Sequence, residues 1–220
     1  MKKVLLYRIL TSIVLFLSVY IMFIDSFFLR LFLFIIFVVS YYEFYKLIYL
    51  IKKNLKLSYL NFIIYNIISF SYLLFFSLIV YIYLIQITSD QALILFILLT
   101  CILTDIGGMI FGKLIGGKKL TKISPNKTIS GSIGALIFSF VGMLIYINFN
   151  KNYSLLTLII LVSTTCSFSQ IGDLIISYLK RKAKVKDTGK ILPGHGGLLD
   201  RIDGILLGLP LGIIIFSLIK

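Results

Sequence analysis

A chain of 220 residues that is 60% hydrophobic and 14% charged, with a mean hydropathy of +1.07, cannot hide its apolar side chains in one water-soluble core. Soluble domains are about 45–50% apolar and about 25% charged. The composition therefore excludes a soluble globular protein and leaves an integral membrane protein. With 22 Lys and Arg against 8 Asp and Glu, the net charge is +14. In a soluble chain that balance would indicate nucleic acid; in a membrane chain it reflects loops facing the cytoplasm and anionic lipid or nucleotide phosphate.

A hydrocarbon core of about 30 Å takes roughly 20 apolar residues of helix. Seven stretches qualify: 4–24, 27–51, 61–87, 92–112, 130–149, 154–176 and 204–219. The fold class is thus all-α, a polytopic membrane protein of about seven transmembrane helices. The first stretch follows Met1-Lys2-Lys3, is too long for an ordinary signal-peptide core and lacks a small-x-small cleavage site after it, so it reads as an anchored span. With the N-terminus inside, 19 of the 22 basic residues fall on cytoplasmic segments, leaving Arg30, Lys151 and Lys220 outside. That asymmetry satisfies the positive-inside rule and makes the charge a matter of topology. No nucleic-acid partner is expected.

Residues 1–90 supply three spans rich in Phe, Leu, Ile and Tyr, with no polar cluster. From Thr104 onward the chain becomes rich in Gly, Ser, Thr, Asp and Lys, so any chemistry belongs to 91–220 and its cytoplasmic loops 113–129 and 177–203. Cys101 and Cys166 sit in apolar runs and read as buried thiols. His195 is the only histidine, which excludes a multi-histidine metal site within one chain.

Two polar clusters stand out. The first is Thr104-Asp105-Ile106-Gly107-Gly108 with Ser124-Pro125-Asn126-Lys127-Thr128. Asp105 lies about 20 Å along a helix that begins outside, and an ionised carboxylate at that depth must face protein or water. The nearby Gly and Lys residues lack P-loop spacing. The second cluster begins in the hydroxyl-rich sixth span, where Ser and Thr serve close helix packing. It continues through Gln170, Gly172 and Asp173 to the loop that carries Asp187, Asp200, Asp203 and Pro193-Gly194-His195-Gly196-Gly197. Carboxylates, cations and glycines in one short loop suit a Mg²⁺-bound polyphosphate: carboxylates for the ion, Lys and Arg for the phosphate charge, glycines for close main-chain approach.

The segment Ser177–Asp203 resembles the signature of the phosphatidate cytidylyltransferases (CDP-diacylglycerol synthases), S-x-x-K-R-x4-K-D-x-G-x2-(L or I)-P-G-H-G-G-x-x-D-R-x-D. All its fixed positions are present, from Ser177, Lys180, Arg181, Lys186, Asp187 and Gly189 to Asp200, Arg201 and Asp203. The Thr104-Asp105, Ser124-Pro125, Lys127-Thr128 and Gln170-x-Gly172-Asp173 groups are similar to the family as well. The resemblance covers about residues 100–204. The chain departs from it at Ser130 and Ile176, where acidic residues are usual, and at Gly204, where serine is usual. It is also shorter than the family by about one or two N-terminal spans.

The resemblance implies transfer of a cytidylyl group from CTP to phosphatidate in phospholipid biosynthesis, at the cytoplasmic face of a bacterial-type plasma membrane. It makes Asp173, Asp200, Lys186, His195 and Arg201 the catalytic candidates. Lys180, Arg181, Lys127, Ser124, Asp105, Gly194, Gly196 and Gly197 would bind CTP and the lipid phosphate. Asp173, Asp200 and Asp203 would hold Mg²⁺, with a monovalent companion such as K⁺, and a homodimer is implied. A CTP-dependent lipid kinase of similar architecture is the alternative enzyme, and a transporter or assembly protein the alternative class.

Overall fold

The computed structural model describes Leu17, Ile21 and residues 26–84, 91–121, 124, 127–150, 152–193 and 196–219. The expected first span, 4–24, lies outside the described residues except for Leu17 and Ile21. Among the described residues the chain is helical: α1 (Ser26–Leu55), α2 (Tyr59–Ile82), α3 (Gln91–Leu114), α4 (Ile129–Phe149), α5 (Leu155–Ala183) and α6 (Leu199–Ile219). All six are long and apolar enough to cross a membrane. Large apolar side chains such as Phe34, Ile67, Leu144 and Leu156 are exposed along them, as surfaces that meet lipid rather than water require.

The chain divides into two compact units, one of residues 1–88 with 179–202, the other of 89–178 with 203–220. Sequence reading placed all polar organisation after residue 90, whereas residues 179–202 fold with the N-terminal helices. In that first unit α1 packs on α2 through aromatic edges, with Phe37 and Tyr41 against Phe70 at ring separations of 5.2 and 5.4 Å. At the end of α1, Lys56 takes a left-handed φ of +50° and stops the helix. Ser58 then caps α2 by accepting the Asn61 N–H at 3.2 Å, the usual service of an N-cap hydroxyl. The Asn54 amide donates to the Ala183 carbonyl at 2.9 Å, joining the end of α1 to the end of α5.

The second unit is built on close backbone approach. A Cβ at Gly107 would stand 2.5 Å from the Gly134 carbonyl oxygen, and one at Gly131 would stand 2.8 Å from that of Gly108. Glycine is what allows α3 and α4 to touch. Across the same contact Thr104 and Ser139 share a hydrogen bond at 3.0 Å, and Phe96 stacks on Tyr146 at 4.2 Å. On α6, Gly208 faces Ser169 and Gly212 faces Thr165. The hydroxyls of the sixth span therefore serve packing, in the small-residue manner of membrane helices.

Two helix ends differ from the expected spans. The sixth helix runs to Ala183 rather than 176, so Ser177, Lys180 and Arg181 are helical and not part of a loop. The last helix begins at Leu199 rather than 204, which puts Asp200 in its first turn. The loop is therefore 184–198. Lysines at the end of α5 face the negative end of its dipole, so the charged run extends that helix.

Candidate active site

Within the second unit, α3, α4, α5 and the segment before α4 enclose a cavity of about 220 Å³. Asp105 from α3, Asp173 and Gln170 from α5, Lys127 and Thr128 all line it. Asp105 lines this cavity, and a carboxylate inside a membrane helix needs such a polar surrounding. Lys127 forms an ion pair with Asp173 Oδ2, while Ser177 Oγ donates to Asp173 Oδ1 at 3.3 Å. Ser132 Oγ donates to Gln170 Oε1 at 2.5 Å, fixing the amide across the cavity wall. The cavity lies between the fourth, fifth and sixth spans, because the glycines of α3 and α4 bring those helices together.

Lys127 is presented by a short pinned loop. The Leu120 N–H donates to the Lys127 carbonyl at 2.8 Å and the Ile129 N–H to that of Lys118 at 3.0 Å. Gly116 and Gly117 turn the corner with φ of +62° and +98°, a region open to glycine. Ser130 donates to the Gly116 carbonyl, which a carboxylate at that position could not do. Ser124 is buried, and its carbonyl accepts the Lys127 N–H at 3.1 Å. It supports the loop and is not among the residues lining the cavity.

Residues 179–202 of the signature segment belong to the first unit and are organised around two carboxylates. Asp200 Oδ1 receives the Lys180 ammonium at 2.7 Å. Its Oδ2 accepts the N–H groups of Thr188 and Gly197 at 2.8 and 3.1 Å. The second carboxylate is Glu43, fully buried on α1. It accepts the Thr188 hydroxyl at 2.8 Å and the Leu198 and Leu199 N–H groups at 3.0 and 2.9 Å. Leu192 and Gly196 exchange backbone hydrogen bonds at 2.9 and 3.1 Å, and Gly196 has a φ of +89°.

These bonds correct one expectation. The main-chain N–H groups of Gly196 and Gly197 were read as a cradle for phosphate. They are bonded to the Leu192 carbonyl and to Asp200 instead. Gly197 is needed for another reason: a Cβ there would stand 2.6 Å from Glu43 Oε2 and 2.7 Å from the Gly189 nitrogen. Arg181, Lys186 and Arg201 are exposed. Asp203 is buried, and its carboxylate accepts the Gly204 N–H at 3.0 Å. Gly194 and His195 lie outside the described residues.

Sequence reading missed Glu43 and Thr188. Glu43 is the one glutamate of the chain, set in an apolar run. The rule that an ionisable residue in a span marks a function was the available signal.

The Cytidylyltransferase family profile matches residues 3–219. Proteins named phosphatidate cytidylyltransferase from Staphylococcus haemolyticus, Staphylococcus saprophyticus and Staphylococcus aureus are 50%, 48% and 48% identical over 122 residues. Each match covers 54% of this chain and 46% of the relative; the chain spans about half the length of the curated relatives it matches. The chain belongs to the cytidylyltransferase family.

Proposed function

We propose that this member of the family transfers a cytidylyl group from CTP to phosphatidate, giving CDP-diacylglycerol and diphosphate. One observation carries the reading: two carboxylates, Asp105 and Asp173, and the Lys127 ammonium line one cavity within a membrane-embedded unit. Apolar helices supply the setting for a lipid, and the acid–cation pair supplies the setting for a polyphosphate.

In the reaction, an oxygen of the lipid phosphate attacks the α-phosphorus of CTP. A new P–O bond forms, the bond between the α-phosphorus and the bridging oxygen breaks, and diphosphate leaves with that electron pair. The nucleophile is already anionic, so no base is needed, and the protein must neutralise charge and align two anions. Lys127 is the cavity's cation for phosphate. Arg181, Lys186 and Arg201, exposed on and beside the signature loop, are the further phosphate-binding candidates, together with Lys180, Gly194 and His195 from the sequence signature.

The donor set fits Mg²⁺, which takes one or two carboxylates and completes its shell with phosphate oxygens and waters. Among the described residues no three His, Cys, Asp or Glu side chains converge as a metal-binding group, so the substrate's own oxygens would have to contribute. Asp173 and Asp105 would hold the ion, with Asp203 a further candidate. When bound, Mg²⁺ with a K⁺ companion would withdraw charge from the triphosphate. Asp200 would reach a cation only by releasing Lys180, since its other oxygen is held by loop donors.

Reaction at the cytoplasmic face of the plasma membrane follows from where CTP is found and from the basic residues at the ends of α1, α3 and α5. The Asn54–Ala183 bond agrees with two of those ends sharing one face. The resemblance also carries a homodimer, which crosslinking in native membranes would reveal. The test of function is product analysis. Lipid-extractable cytidine with diphosphate release supports the reading, whereas CDP with a newly phosphorylated lipid supports the lipid kinase.

A further inference from the structure

We propose that Glu43 is a positioning residue for the nucleotidyl transfer: from α1 it fixes the loop that carries Lys186 and Asp187 and the first turn of α6 that carries Asp200 and Arg201, without itself meeting either substrate. The proposal rests on the functional reading above and adds to it a residue from the apolar N-terminal half.

The geometry is local and complete. Glu43 is fully buried, and burying a carboxylate is costly unless donors satisfy it. Here all the donors come from one distant stretch: the Thr188 hydroxyl, and the Leu198 and Leu199 N–H groups at the start of α6. Those N–H groups belong to the positive end of a helix dipole and have no partner within the helix. Glu43 therefore acts as the cap of α6 from outside that helix.

The loop is shaped around this carboxylate. A Cβ at Gly189 would collide with Glu43 Oε1, and one at Gly197 would come within 2.6 Å of Oε2. Two glycines of the signature are accounted for by the room that Glu43 occupies. Thr188 links Glu43 to the charged side of the loop, because its hydroxyl lies 2.8 Å from Glu43 Oε2 and 3.1 Å from Asp200 Oδ2. Asp200 in turn holds Lys180. Glu43, Thr188, Asp200 and Lys180 thus form one connected polar network whose inner end is buried and whose outer end adjoins the exposed cations. A partly satisfied network of this kind would leave buried N–H groups unpaired, so removing Glu43 disturbs the whole loop.

The experiment compares Glu43→Gln and Thr188→Val with wild type, all purified in detergent and checked for a single folded species. Steady-state kinetics with CTP and phosphatidate are measured beside tryptic cleavage at the exposed Lys184, Lys186 and Lys190. Glu43→Gln keeps the side-chain size and one acceptor but cannot satisfy all three donors. The expected result is a kcat lowered by on the order of 10–100-fold, the scale of a small misplacement of reacting groups. KM for CTP should stay within roughly 3-fold, because no substrate contact is removed. Cleavage at the three lysines should quicken by more than any fall in the thermal midpoint accounts for. A Glu43→Gln protein with wild-type kcat, or with loop protection unchanged while activity falls only with the folded fraction, would overturn the proposal. If Glu43→Gln fails to insert, Thr188→Val is judged by the same two readouts. Wild-type protein without turnover would overturn the functional reading, and the tryptic pattern, which needs no turnover, would still decide whether Glu43 pins the loop.

Discussion

Lys127 is ion-paired with Asp173 in the wall of a cavity that Asp105 also lines. The pair joins the residue proposed to meet phosphate to one proposed to meet Mg²⁺. Asp173→Asn should lower turnover by on the order of 10²–10³-fold, the scale of losing one preorganised electrostatic partner, with membrane insertion unchanged. Lys127→Gln should instead raise KM for CTP. Near-wild-type turnover of Asp173→Asn at ordinary Mg²⁺ would remove that residue from the cation site.

Asp200 offers a contrast, because its oxygens are engaged by Lys180, Thr188 and Gly197. Asp200→Asn weakens a half-buried charge-assisted bond and turns part of an acceptor into a donor facing other donors. A stability loss of about 1–3 kcal/mol is expected, read as a lower thermal midpoint in detergent. Asp173→Asn should leave that midpoint nearly unchanged. Equal midpoints for the two variants would contradict the structural role of Asp200.

The glycines can be sorted by the room around them. A Cβ at Gly108 meets its neighbours at 3.7 Å and beyond, whereas one at Gly107 meets the Gly134 carbonyl oxygen at 2.5 Å. Gly108→Ala should therefore be tolerated, and Gly107→Ala should force α3 and α4 apart and cost about 1–3 kcal/mol as overpacking. Yield and thermal midpoint of the two proteins give the comparison. Tolerance of Gly107→Ala would mean that the two helices are not held this closely.

Topology is testable by accessibility. Cysteines replacing Lys52, Lys119 and Lys184 should resist an impermeant thiol reagent added outside intact cells, as cytoplasmic placement requires. Ready labelling at Lys119 or Lys184 would put the basic segments, and the proposed entry for CTP, on the wrong face.

The helices were legible because apolar runs of about 20 residues have few other uses. Asp105 and Asp173 stood out because polar groups in such runs are costly, and Lys127 because its loop is similar to the family. The end of α5 was not: Lys180-Arg181-Lys182 reads as a loop by charge, yet favours the last turn of a helix by its dipole. Glu43 was hidden for a different reason. Its partners lie some 145–156 residues away, so its place in a span marked it as costly without showing which donors satisfy it. The family departures also gained meanings only in three dimensions. Ile176 is buried, and a side chain at Gly204 would crowd Ser169 Oγ at 2.5 Å.

The most direct test supplies the purified protein with phosphatidate, Mg²⁺ and CTP labelled in the cytidine, and follows the label into the lipid phase. The account predicts lipid-extractable cytidine in step with diphosphate release, absent without Mg²⁺ and nearly absent in Asp173→Asn. Label that stays in the aqueous phase as CDP, or as unreacted CTP, would contradict it.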